Sequence, residues 1–143
     1  MLCVGGSGAT ETIQITVTNT VVPVCRFFAA AAPSMSLSNT GAPSEIDPRL
    51  STPATGIVRI GYRCTSGTLP AFGVPPTATL SCAACTGNAV LGAALTWISD
   101  GAGRGMTDAG NRVFSLTAEV PPSAYRSAAP GDYTGNVTVT VSP

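Results

Sequence analysis

Apolar residues recur at every second position in six separate runs of this chain, and that period leaves little choice of secondary structure. In "ETIQITVTN" Ile13, Ile15 and Val17 share one side, and Thr12, Gln14, Thr16 and Thr18 share the other. "GIVRIGYRC" sets Val58, Ile60, Tyr62 and Cys64 against Arg59 and Arg63. "TATLSC", "VLGAALTWIS", "RVFSLTAEV" and "DYTGNVTVTV" repeat the pattern, the last with Val137, Val139 and Val141 opposite Asn136, Thr138 and Thr140. Successive side chains of a strand point to opposite faces, so each run reads as a half-buried β-strand. Between them stand turn signals such as "NTGAPSEIDP", "TSGT", "SDGAGRG", "TDAGN" and "APGD", the last predicting a type II turn at Pro130-Gly131. No segment carries a 3.6-residue period, and "FFAAAAPSMSL" has room for one helical turn before Pro33. The expectation is a single all-β sandwich, with no linker and no internal repeat.

Composition narrows the function classes. Only 10% of the 143 residues are charged, and seven arginines balance seven acidic residues, with no lysine. A chain so neutral lacks the basic patches that nucleic acid and anionic membranes attract, and it has little self-repulsion to keep copies apart. Histidine is absent, which removes the commonest general base and the commonest metal ligand. No catalytic residue, metal ligand set or cofactor is expected. No stretch reaches the ~20 apolar residues of a membrane span, so membrane insertion is not expected either. Met1–Ala9 reads either as the tail of a leader, with small residues at Ser7-Gly8-Ala9, or as a flexible N-terminal extension.

Five cysteines leave one over if the domain is exported; without Cys3, four remain to pair. Cys25 and Cys64 flank the longest loop. A bridge between them, closing roughly 40 residues, contributes about 4 kcal/mol of chain entropy, and two buried thiols are the alternative. Cys82 and Cys85 form "CAAC" at a strand end, where a local turn-stapling bridge competes with a redox motif that wants a helix N-terminus. "GAGRG" (Gly101–Gly105) lacks the residues of a phosphate loop and reads as a hairpin tip. Asp100 and Asp108 bracket it as turn residues or as cation ligands. Trp97 and Tyr125 read as core, with a sugar-stacking platform as the alternative.

Both ends of the chain are regular, valine-rich runs decorated with threonine, and no later run follows Val141 to cover the last one. "ITVTNTVVPVC", "PATGIVRIGYRCTSGT" and "FSLTAEVPPSAYRSAAPGDYTGNVTVTV" together resemble the spore coat U domain family, the pilins of the archaic chaperone–usher pathway. The stretch after Cys25 departs from the family pattern, and Pro70–Thr107 matches only loosely. The resemblance implies an incomplete immunoglobulin-like β-sandwich whose groove is filled by the N-terminal donor strand of the next subunit. It implies a structural pilus subunit that supports adhesion and biofilm formation. Such a subunit is expected to be exported through the periplasm to the cell surface, with identical subunits, a periplasmic chaperone and an outer-membrane usher as partners. The donor strand falls on residues 10–22, with Ile13, Ile15, Val17, Asn19 and Val21 facing the groove, and the sandwich on 23–143. The acceptor groove lies beside Val137, Val139 and Val141. Rival readings are a tip adhesin or secreted coat protein whose Asp100–Asp108 loop touches a surface or glycan, and a periplasmic thiol oxidoreductase using Cys82 and Cys85.

Overall fold

The computed structural model describes residues 9–29, 32–87 and 89–143. Cys3 and the Met1–Gly8 part of the leader reading lie outside them. The chain is all-β, built on a curled antiparallel sheet with very little helix. Strands β1 (Cys25–Phe28), β2 (Ala54–Cys64), β3 (Ala71–Gly73), β4 (Thr77–Ser81), β5 (Val90–Ser99), β6 (Arg112–Val120) and β7 (Thr140–Ser142) are joined by loops, a 3₁₀ turn at Asp108–Gly110 and one short helix, α1 (Pro122–Tyr125). The main sheet runs β1-β2-β6-β5-β4, and β3 pairs with β7 in a separate two-stranded ladder.

Alternation dictates the core. On β6, Phe114, Leu116, Ala118 and Val120 are buried, while Val113 and Glu119 on the opposite face are exposed. β5 buries Leu91, Ala93 and Leu95, and β2 buries Tyr62 and Cys64 near its end. The β2–β6 register sets Ile60 beside Phe114 and Val58 beside Leu116, so both inner faces meet on one side of the sheet. One end of this core is an aromatic cluster: Phe72 stacks on Phe114 at 4.6 Å and meets Tyr62 at 5.2 Å, with Phe27 and Trp97 around them.

Two disulfides staple the domain. Cys25–Cys64 joins β1 to β2 at a position where the two residues are already cross-strand partners. Cys82–Cys85 closes the turn after β4. Such bridges fit an oxidising, extracytoplasmic compartment, and among the described residues no helix is long and apolar enough to cross a membrane.

Several local expectations are corrected. Residues 9–24 belong to no strand, and neither sheet includes them. The valine-rich closing run is a strand only over Thr140–Ser142; before it, Thr134 makes an isolated bridge to Ser81. The helical turn falls at Pro122–Tyr125 and not in the described part of "FFAAAAPSMSL", where Cys25–Phe28 is strand β1. Pro122 suits a first helical turn, where no N–H is needed, and the Tyr125 hydroxyl lies 2.8 Å from the carbonyl oxygens of both Leu50 and Thr52, within donating reach of either. "GAGRG" is not a free hairpin tip. The Gly103 N–H donates to Thr68 O at 2.8 Å and the Gly105 N–H to Cys64 O at 2.9 Å, which presses the loop onto the end of β2.

Candidate functional site

The inner face of the main sheet is only partly covered. Opposite it, two stretches of backbone run along the domain without joining a strand: residues 29 and 32–37, which follow β1, and residues 135–139, which precede β7. Each wall is anchored at its ends. The first leaves the sheet after Phe28 pairs with Gly61, and returns where Ser38 and Thr55 exchange backbone bonds of 3.0 Å. It lies so close to β2 that a side chain at Gly56 would run into the Ser36 carbonyl, which explains a glycine in the middle of that strand. The second wall starts at the Thr134–Ser81 bridge, with bonds of 2.8 and 3.0 Å, and ends in the β3–β7 ladder.

Between the walls lies an apolar groove made of two adjoining cavities. One, of about 500 Å³, has Val58, Ile60, Leu95, Leu116 and the small side chains of Ala78, Ala93 and Ala118 among its floor, with Phe27 and Met35 on one wall and Val137 and Val139 on the other. The second, of about 610 Å³, continues past Leu37 and Leu80 to Ile46, Tyr125 and Tyr133. Met35, Leu37 and Leu80 line both, so the two cavities adjoin along the same side of the sheet. Val58, Ile60, Ala78 and Leu80 face inward from the sheet yet are only partly buried, where they line the first cavity.

Val137 and Val139 therefore sit on the wall of the groove, with Thr138 and Thr140 turned outward. Val141 lies beyond it, in β7 opposite Phe72. The groove closes at that end because β1 and β7 approach each other under the aromatic cluster.

The N-terminal tail carries apolar side chains at alternating positions, and they are exposed. Ile13, Ile15, Val17, Val21 and Val22 are 66–84% exposed, and Asn19 is exposed with them. The tail leaves the domain under restraint: the Val24 N–H donates to Thr65 Oγ1, and the Thr65 N–H donates to Val24 O, both at 2.9 Å. Thr65 Oγ1 also reaches Val22 O at 3.4 Å. These bonds continue the β1–β2 direction past the end of β2 and lead the tail away from its own groove.

Asp108 pairs with Arg63 at 2.6 Å and the Asp100 carboxylate accepts the Val113 N–H at 2.8 Å, so both tie the loop to neighbouring strands. Among the described residues no acidic or cysteine cluster suits a metal ion. Trp97 stacks on Phe114 while remaining 42% exposed, and Tyr125 is buried, so the two form no shared platform. Cys82–Cys85 stands where, among the described residues, no helix begins, and its sulfurs pack closely against Gly131. On the loop before β2, Asp47 is held at a pKa of about 2, chiefly by the side-chain hydrogen bonds from Arg49 and then by the Arg49 backbone N–H.

Comparison with family models, with curated proteins and with solved structures finds no match to this chain.

Proposed function

We propose that the chain is a structural pilus subunit that polymerises head-to-tail by donor-strand exchange. The domain is then an immunoglobulin-like sandwich short of one strand, related to the spore coat U pilins. The observation that carries this reading is the match within one chain between an open apolar groove with unpaired walls and an exposed tail of alternating Ile and Val. A strand laid in the groove hydrogen-bonds to backbone on either side and presents every second side chain to the floor. Ile13, Ile15, Val17 and Val21 each contribute roughly 1.5–3 kcal/mol on full burial. Because the tail is led away from its own groove, its acceptor is another copy, and a contact that joins different surfaces of identical subunits builds open filaments. A periplasmic chaperone holds the groove before assembly and an outer-membrane usher receives the subunit, which ends at the cell surface in adhesion and biofilm formation. The two disulfides support passage through an oxidising compartment.

The test is a pair of adjacent substitutions in the full chain, followed by electron microscopy and sedimentation. Ile15→Asp buries a carboxylate against an apolar floor and abolishes filaments. Thr16→Asp, one residue on, points to solvent and leaves them intact. Equal assembly by both variants overturns the proposal.

A further inference from the structure

The charged residues of this nearly neutral chain are sorted by position. At the end of the domain marked by the Cys25–Cys64 bridge lie Arg26 and Arg63, cross-strand partners on β1 and β2, together with Arg112 at the start of β6 and Arg104 in the loop pressed onto β2. The only acidic residues there are Asp100 and Asp108. At the opposite end, where β2 begins and α1 packs, lie Glu45 and Asp47 in the loop before β2, Glu119 opposite Thr55, and Asp132 beside the Ser81–Thr134 bridge, with Arg49 and Arg126 as the cations. Arg59 stands mid-strand and Glu11 on the tail. Side-chain charge is therefore about +2 at the bridge end (four arginines, two aspartates) and −2 at the helix end (two arginines, four acids).

The groove joins these two ends, and the tail emerges at the positive one. From this we infer that the two charged ends are the docking faces between successive copies, and that they set the direction in which the tail enters. The inference rests on the donor-strand reading above. If the tail runs antiparallel to residues 134–142, its N-terminal half lies toward the acceptor's bridge end and its root at the acceptor's helix end. The donor's positive end then abuts the acceptor's negative end. If the tail runs the other way, two positive ends meet. Glu11, the tail's single charged side chain, selects the same direction: antiparallel entry brings it toward Arg26 and Arg104, and parallel entry brings it among Glu45, Glu119 and Asp132. Complementary faces of this kind act mainly on encounter rate and on orientation.

Association of the refolded full chain, followed by light scattering from about 0.01 M to about 1 M salt, reads this directly, since the Debye length falls from about 30 Å to about 3 Å over that range. The native chain slows by roughly tenfold as salt rises. Arg26→Glu with Arg104→Glu makes both ends negative, and its association speeds up with salt. Adding Glu45→Arg and Asp132→Arg exchanges the polarity of the ends and restores slowing. A photoreactive residue at Thr20 crosslinks to the neighbouring copy around 131–133. A salt response in the Arg26→Glu/Arg104→Glu chain unchanged from the native one, or crosslinks mapping around 139–141, overturns the inference. Ile15→Asp, run alongside, separates the failures: if it abolishes association while the charge reversals have no effect, charge-directed docking alone is wrong. If it still associates, the donor-strand reading falls and takes this inference with it.

Discussion

Gly131 shows how much a single position can hold. Its φ of +153° is one that glycine adopts readily, and an added Cβ would meet the sulfurs of both Cys85 and Cys82. The bridge and the turn are thus packed to the limit of a hydrogen atom, next to the residues that open the second wall of the groove. Gly131→Ala must push the disulfide or the turn aside, and we expect a loss on the order of 1–3 kcal/mol, read as a lowered denaturation midpoint with an unchanged slope. Asp47 offers a second residue-scale test. Its carboxyl titrates lower in the folded chain, at about 2 against an ordinary 3.8, so the stability it lends is complete above the ordinary value and disappears as pH falls from there through about 2. Arg49→Gln removes the largest cause, and the Asp47 titration followed by NMR should move up toward 3.8.

At the level of elements, the strands with strong alternation and a partner inside the chain were legible: "GIVRIGYRC", "VLGAALTWIS" and "RVFSLTAEV" became β2, β5 and β6 with the expected faces inward, save that Trp97, read as core, stays 42% exposed. The short β3 escaped, because three residues, Ala71–Gly73, are too few to show a period. So did α1, whose four residues are set by a proline pair and by Tyr125 reaching the carbonyls of Leu50 and Thr52, a contact 73–75 residues away in sequence. "GAGRG" was read locally as a tip, whereas backbone bonds to Thr68 and Cys64 decide its shape. The wall residues Met35 and Leu37 were missed for the same reason, since their place over the groove depends on where the chain returns to Thr55. The tail and the 135–139 wall carry a strand's alternation without a strand's pairing. A mixing experiment exploits that. Val139→Arg obstructs the groove and keeps the tail, while Ile15→Asp spoils the tail and keeps the groove. Neither alone should form filaments, and an equimolar mixture should yield a discrete 1:1 dimer by analytical ultracentrifugation.

For the whole molecule, the core is complete at one end and open along one side. The aromatic cluster of Phe27, Phe72, Phe114, Tyr62 and Trp97 closes the bridge end, while partly buried Val58, Ile60, Ala78 and Leu80 mark the side where the groove lies. Such a surface invites promiscuous association when nothing specific lies on it. A chain lacking residues 1–20 should therefore aggregate on refolding. Peptide Thr10–Val21 supplied in excess should restore a soluble domain, by about 2.7 kcal/mol at a hundredfold excess over its dissociation constant. Recovery without peptide, at equal yield, would show that the groove is not a folding liability. The Cys25–Cys64 bridge has a mechanical meaning as well. A pull on the tail enters the domain at Val24, one residue before Cys25, where a weaker joint would let β1 unzip from β2 one hydrogen bond at a time. The covalent link carries the load across at the first pair of the ladder instead and delivers it along β2, which is flanked by β1 and β6. Tension is then borne in shear by the longest strand of the sheet, so the hinge between tail and domain is also the point at which the domain is hardest to peel apart.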